Sequence, residues 1–354
     1  MGRLWSYYCR TALALEFDLH RYLIRRILLM IVTLWLVSLL VFLSIRLIPG
    51  NIVDSLIADI QRSSGTSTRV LDREALERLW GIDVPIAVQY GRWMGVLPGP
   101  NHITGETSYS GIFQGSLGIS LKVGAPVTEM ILRRFGVTFE LGFLAIVIGL
   151  VIALPVGIYS AIRQDTAGDY VGRIIAIIGL STPNFWLAMM VMLYPAIHFG
   201  WSPPIELISF KDDPLENLKQ FIIPAAILGT AMSAITMRMT RTMMLEVLRQ
   251  DYIRTAWSKG LRERVVVTRH ALKNALIPVV TIVGGSLPIM IGGAVIMETI
   301  FGLPGMGRLM IDSLLQRDYP VVSGVNLVIA TAIVVANLLV DISYAYLDPR
   351  VRYQ

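Results

Sequence analysis

Six long apolar segments constrain this chain more than any other feature of its sequence. Each is long enough to cross a bilayer, for which about 20 helical residues are needed. Transmembrane helices are therefore predicted at residues 27–47, 137–161, 174–199, 221–237, 277–300 and 321–347. The composition agrees with this, because only 16% of the residues are charged and the mean hydropathy is +0.62.

The central parts of these segments contain no Asp, Glu, Lys, Arg or His. A charge within lipid is costly and usually serves to move an ion or a proton. Its absence argues against a secondary carrier, a channel or an ion pump. A membrane-embedded enzyme is disfavoured too, since the segments hold no His-rich cluster, paired Asp or Ser/His pair. Glu140, Glu298 and Asp341 lie near segment ends, where an interfacial or capping role is expected.

Basic residues are distributed unevenly between the two sides that these segments define. The parts predicted to face the cytosol carry 18 Lys and Arg, whereas the two short outside loops carry four. This bias places both termini in the cytosol. It predicts a cytosolic tail or interfacial helix at 1–26, an extracytoplasmic segment at 48–136, a cytosolic loop at 238–276 and a cytosolic tail at 348–354. The same bias explains most of the positive charge, so a nucleic-acid partner is not expected.

The cytosolic loop between the fourth and fifth segments contains signals for two helices. Asp251 is a good N-cap, Lys259 suits a last turn, and Gly260 can take the left-handed conformation that ends a helix. A second helix is predicted from about Glu263. Two interpretations are open on this evidence, a docking surface for another protein or an amphipathic connector held by anionic lipid.

The loop sequence resembles a known family at this point. Residues 251–261, DYIRTAWSKGL, and 269–281, RHALKNALIPVVT, are similar to the coupling loop of ABC importer permeases of the dipeptide, oligopeptide and nickel branch. The general motif has Glu-Ala-Ala before its glycine. Here Arg254, Thr255 and Ala256 stand before Gly260, so the first two positions depart from the general form.

The resemblance extends over nearly the whole chain and fits the permease with the longer outer loop of a pair. Further matching motifs are Ile48–Gly50, Tyr90–Trp93, Gly115–Ser120, Leu141–Asp169, Ser181–Trp186, Glu298–Leu309, Arg317–Pro320 and Leu347–Arg350. It implies an all-α integral membrane protein with six transmembrane helices and the type I ABC importer permease fold, its core at 137–347.

The resemblance also implies three groups of functional residues. The loop that couples to an ATPase would use Asp251, Tyr252, Arg254, Thr255, Ala256, Lys259, Gly260 and Leu261. The translocation path or the interface of the permease pair would involve Gly284, Gly285, Pro288, Gly292 and Gly293, for which plain helix packing is the alternative. The outer-face loop would include Glu298, Gly302, Pro304, Gly305, Gly307 and Arg308.

The function implied is that of a permease subunit in the cytoplasmic (inner) membrane. It would translocate dipeptides or oligopeptides delivered by an extracytoplasmic binding protein, with nickel chelates, glutathione-like peptides or oligosaccharides as alternative substrates. Its partners would be a second, homologous permease, two ABC ATPase subunits, the binding protein and membrane lipid. No Gly-Lys pair occurs, so a phosphate-binding P-loop is absent. The chain is thus not expected to be an enzyme or to bind a cofactor or metal, and ATP and Mg²⁺ would be used by the partner ATPases.

Overall fold

A computed structural model describes residues 2–46, 83–100, 107–202, 204 and 206–347. These residues form helices almost throughout, with a ribbon of two very short strands between Gly99–Pro100 (β1) and Thr107–Ser108 (β2). Residues 48–82 and 101–106 of the predicted extracytoplasmic segment lie outside the described residues, as does the predicted tail at 348–354.

Eleven α-helical stretches are described. They are α1 (Gly2–Arg46), α2 (Ile86–Met94), α3 (Val127–Ile162), α4 (Ala167–Ser181), α5 (Asn184–Phe199), α6 (Pro214–Leu248), α7 (Asp251–Ser258), α8 (Glu263–Val265), α9 (Leu272–Phe301), α10 (Met306–Leu315) and α11 (Tyr319–Leu347). The backbone of the predicted N-terminal tail is helical, since α1 runs unbroken from Gly2 into the first apolar segment.

Five stretches of helix are long and apolar enough to cross a membrane by themselves. They are Ile24–Arg46, Val127–Ile162, Pro214–Leu248, Glu263–Pro288 and Tyr319–Ser343. Two further pairs pass the same test together but are bent, α4 with α5 by 93° and Met290–Phe301 with α10 by 76°. The all-α membrane architecture predicted from the sequence is present.

The third predicted segment, 174–199, is not one straight helix. It is divided between α4 and α5 at Thr182 and Pro183, both of which have extended backbone angles. Proline disfavours the helical conformation in the residue before it, and its ring removes a backbone donor. The break therefore follows from the Thr-Pro dipeptide, which is hidden when hydropathy is averaged over the whole segment.

Small residues bring α3 and α6 into close contact along their length. Ala145, Gly149, Ala153, Gly157 and Ala161 recur every four residues of α3, and all are buried. A Cβ atom added at Gly229 of α6 would lie only 2.6 Å from the Ala145 carbonyl oxygen. One added at Gly157 would lie 2.8 Å from the Met237 carbonyl oxygen. The two backbones thus approach as closely as small residues permit in a membrane helix pair.

The described residues divide into two compact units. The first comprises those within 1–32, 137–304 and 332–354. Its largest core surrounds Leu141, Phe221, Leu228 and Met297, and a second core surrounds Met244, Ile253 and Val266. These two cores hold α3 against α6, α7 and α9.

The second unit comprises the described residues within 33–136 and 305–331. In it, the Phe42 ring of α1 lies 5.2 Å from the Tyr90 ring and 5.6 Å from the Trp93 ring of α2. A separate core is formed by Val127, Ile131, Leu309, Val321 and Val325.

Candidate functional site

The predicted docking segment is a short helix, α7, between the long helices α6 and α9. Its N-cap is Gln250 and not Asp251, which instead occupies the first turn with its side chain 97% exposed. The predicted cap was therefore wrong by one residue. Helix α7 ends at Ser258 with Lys259 as C-cap, and Gly260 follows with φ +77°. The predicted left-handed conformation of Gly260 is confirmed.

Helix α7 has one face buried in its own chain and one face exposed. Ile253 and Ala256 are buried, and they pack in the core that contains Met244 and Val266. Tyr252 and Trp257 flank that face and are each 43% exposed. Arg254, Thr255 and Lys259 are also exposed, whereas Leu261 is half-buried. The helix is thus fixed from one side and leaves small, aromatic and basic side chains available on the other.

The segment after α7 is wound more loosely than an α-helix. Glu263–Val265 begins it, and Val266–Ala271 forms a six-residue π-helical stretch before α9. Such π-helical insertions are frequent at functional positions. Asn274 Nδ2 of α9 donates a hydrogen bond to Tyr252 Oη at 2.8 Å, which connects α9 to the start of α7.

A buried carboxylate lies in the first turn of α4. Asp169 is fully buried. Its two oxygens accept from Arg241 Nε and Nη2 of α6, each at 2.9 Å. Arg173 Nη2 lies 3.2 Å from Asp169 Oδ2, and the Asp165 backbone N–H donates to the same oxygen at 3.1 Å. Paired N–H donors from one guanidinium give a strong, directional contact between the α4 start and α6.

The glycines predicted for the path or the permease interface differ in their surroundings. An added Cβ at Gly284 would meet Val340 of α11 at 2.4 Å, and one at Gly293 would meet Leu228 of α6 at 2.6 Å. At Gly285 and Gly292, no atom of the described residues lies within 4 Å of that position, apart from chain neighbours and the backbone of their own helix. Pro288 lies inside the continuous helix α9. Gly284 and Gly293 are thus explained by packing, while Gly285 and Gly292 face open space among the described residues.

Three of the six residues predicted for an outer-face loop are helical, and the other three lie between α9 and α10. Glu298 lies near the end of α9 and is fully buried, where its Oε1 accepts from Thr138 Oγ1 at 2.5 Å. Gly302 ends α9 with φ +71°, and Gly305 is the N-cap of α10. Gly307 and Arg308 belong to α10, and Arg308 Nε lies 3.9 Å from Asp312 Oδ2. The true loop is confined to Gly302–Gly305.

A second buried aspartate joins two of the motifs that carry the resemblance. In the second unit, Asp318 is 3% exposed and precedes α11. Its Oδ2 accepts from Ser120 Oγ, and its Oδ1 accepts from the Leu121 N–H at 3.1 Å. The motifs Gly115–Ser120 and Arg317–Pro320 therefore meet at one carboxylate, which fixes the 118–126 turn to the start of α11.

Sequence reasoning gave no role to Asp169, Arg241, Ser120 or Asp318. The available signal was position, because Asp169 and Asp318 each lie beside an apolar segment within one of the quoted motifs. An acidic residue next to a membrane segment is expected to have a hydrogen-bond donor or a cation as its partner, but the sequence does not indicate which residue supplies it.

The fold and these sites together define a class, the multi-pass membrane permease. Several of its helices are long and apolar enough to cross a bilayer, and a short helix with one exposed face stands between two of them. The chain belongs to the family of binding-protein-dependent transport system inner membrane components, whose model matches residues 153–353. The N-terminal model of the same family matches residues 19–142.

Two curated relatives agree with this family. The chain is 37% identical to the oligopeptide transport system permease protein AppB of Bacillus subtilis (strain 168), over 94% of this chain and 99% of the relative. It is 39% identical to the dipeptide transport system permease protein DppB of Alkalihalophilus pseudofirmus, with the same two coverages. A solved structure of the MetNI methionine ABC transporter in inward-facing conformations is 19% identical, covering 62% of this chain and 96% of its own, with a TM-score of 0.49.

The predicted membership of the ABC importer permeases is therefore confirmed. As a membrane component of such a system, the chain is a permease subunit and not an enzyme. An ATPase and a substrate-binding protein are its partners by membership of the family.

Proposed function

We propose that this chain is one of two different permeases in an ATP-driven importer of dipeptides or oligopeptides. The peptide substrate is supported by the names of relatives that match the chain end to end. A heterodimer is supported by the resemblance to the longer of two paired permeases. The chain itself binds no cofactor, and ATP and Mg²⁺ are used by two partner ATPase subunits.

The orientation proposed places both termini, the α3–α4 turn and the 238–276 loop in the cytosol. It rests on the excess of basic residues in these parts, 18 against four in the short outside loops. Residues 48–136 and the Gly302–Arg308 region then face the binding protein on the other side.

The observation that carries the proposal is that α7 is buried on one face and exposed on the other. Ile253 and Ala256 fix the helix to its own chain, while Tyr252, Arg254 and Thr255 stay exposed. A short helix fixed on one side can seat its other side in a groove of an ATPase and pass on rigid-body motion. Asp251 lies in the first turn of that helix, Lys259 is its C-cap, and Gly260 and Leu261 follow its end.

The translocation path or the contact with the second permease is assigned to the open side of α9. Gly285 and Gly292 have space where a neighbouring backbone or a peptide could approach. Pro288 lies between them on the same helix and leaves one of its carbonyls without an intrahelical donor.

Replacing Gly260 with valine tests the role of α7. Its φ of +77° disfavours a β-branched residue by about 1–3 kcal/mol, which should reorient α7. Gly260→Val should therefore insert in the membrane normally but lose ATPase co-purification and peptide uptake. Gly200→Val is the matched control, because Gly200 has φ +62° and equally open space far along the chain from α7. Full uptake by Gly260→Val at normal abundance would mean that α7 is a lipid-bound connector.

A further inference from the structure

The α3–α4 turn contacts the polypeptide on both sides of α7. Asp169 in the first turn of α4 binds Arg241, which lies on α6 shortly before α7. Arg163, directly after α3, places its Nη2 3.6 Å from Glu263 Oε2, just beyond α7. The turn therefore contacts the chain both before and after α7.

The turn itself has a defined conformation. Asp165 has φ +59°, a left-handed conformation that Asp tolerates better than most residues. The Thr166 side chain donates to the Arg163 carbonyl at 2.7 Å, and the Arg163 N–H donates to the Tyr159 carbonyl at 2.9 Å. The Asp165 N–H binds the Asp169 carboxylate at 3.1 Å. Residues 163–169 therefore form a tight connection that holds the end of α3 and the start of α4 together.

The contact with Arg241 is much more specific than ordinary packing. Asp169 is fully buried and the Arg241 side chain is 16% exposed. A buried carboxylate needs charged or hydrogen-bonding partners in good geometry, and here both oxygens are used by one guanidinium fork. Alternative positions of α6 relative to α4 would break both hydrogen bonds at once, so the pair favours a single arrangement of these helices.

We propose that Asp169 is a positioning residue for coupling between ATP use and transport. The Asp169–Arg241 pair makes α6 and the α3–α4 turn move as one body, so that displacement of α7 reaches the bent pair α4–α5. This inference rests on the proposed function, because it needs α7 to be driven by an ATPase. Asp169 touches neither nucleotide nor peptide and acts through the helices that it joins.

The test uses the complete importer in proteoliposomes, with both permeases, both ATPases and the binding protein. Radiolabelled tri-alanine taken up is measured per ATP hydrolysed. Asp169→Asn should assemble and keep ATP hydrolysis and its apparent KM for ATP, since nucleotide binds elsewhere. Peptide taken up per ATP should fall about tenfold, a typical size for energetic coupling between two sites. Arg241→Lys keeps the charge but loses the paired donors of the guanidinium, so its peptide uptake per ATP should fall by less.

Arg133→Ala is the matched control, since it removes an exposed ion pair with Glu129 from α3. An unchanged uptake per ATP in Asp169→Asn would overturn the inference. Loss of assembly in both Asp169→Asn and Arg241→Lys would also overturn it, because the pair would then serve folding and not coupling. If the unsubstituted importer took up no tri-alanine while its ATPase was active, the proposed peptide substrate would fail instead.

Discussion

Two buried aspartates, one in each compact unit, are held in chemically different ways. Asp169 is surrounded by two guanidinium groups and one backbone N–H. The donors described around Asp318 are neutral, a serine hydroxyl and a backbone N–H. Each carboxylate joins parts of the chain that are far apart in sequence, but only the first joins two membrane helices through opposite charges.

The difference shows what each contact can do. A buried ion pair contributes little compared with well-packed apolar residues, yet it becomes strongly unfavourable when one partner is removed. Asp169 with Arg241 is therefore suited to keeping two moving helices in one relative position. Asp318 with Ser120 is suited to fixing a turn against the start of a helix, where hydrogen bonds to a charged acceptor add moderate stability.

The largest expected effect comes from removing Arg241. Arg241→Ala leaves the Asp169 carboxylate buried, with Arg173 as the nearest remaining cation at 3.2 Å. The free energy of unfolding should fall by about 3 kcal/mol, the lower end of the range for breaking a buried pair. Asp169→Asn should lower the free energy of unfolding by less, because the Arg241 side chain left behind is 16% exposed and reaches water, whereas the Asp169 carboxylate is fully buried. The thermal midpoint of the detergent-solubilised importer measures both.

A smaller loss for Arg241→Ala than for Asp169→Asn would contradict this account of the pair. It would mean that the arginine, and not the carboxylate, is the group whose burial is unfavourable.

A middle-sized effect is expected at Asp318. Ser120→Ala removes a hydroxyl that donates to a carboxylate, itself 3% exposed, and accepts from the backbone N–H groups of Lys122 at 3.3 Å and Val123 at 3.0 Å. The substitution should lower the free energy of unfolding by about 2 kcal/mol. Ser323→Ala is the control in the same unit, since that hydroxyl only donates to the Tyr319 carbonyl of its own helix, at 2.8 Å. The same thermal measurement applies. Equal midpoints for the two variants would show that the Asp318 contact adds nothing.

Apolar length and basic asymmetry predicted the membrane class, and local backbone preferences predicted the conformation of Gly260. Both signals are contained in neighbouring residues. The contact of Asp169 with Arg241 joins residues 72 apart in the sequence, so no local pattern specifies it. The spacing of Ala145, Gly149 and Ala153 is visible in the sequence, but the sequence does not tell which helix packs against these small residues.

Other differences have local causes that a hydropathy profile averages out. Pro183 divides the third segment, although the stretches 174–180 and 185–193 on its two sides are apolar. Gln250 takes the N-cap in place of Asp251, and no side-chain hydrogen bond is made there. Among the glycines of α9, the close packing at Gly284 and Gly293 depends on Val340 and Leu228, which lie on other helices.

The smallest expected effect separates the two contacts of the α3–α4 turn. Arg163 and Glu263 are 57% and 46% exposed with their charged atoms 3.6 Å apart, so water and salt screen their attraction. Arg163→Ala should change the free energy of unfolding by less than about 0.5 kcal/mol, as for other exposed pairs. Peptide uptake per ATP should stay near that of Arg133→Ala at physiological salt. If Arg163→Ala instead lowered uptake per ATP as far as Asp169→Asn does, an exposed ion pair would matter for coupling as much as a buried one. Burial of Asp169 between cationic partners, which sets it apart from Asp318 with its neutral donors, would then have no functional meaning.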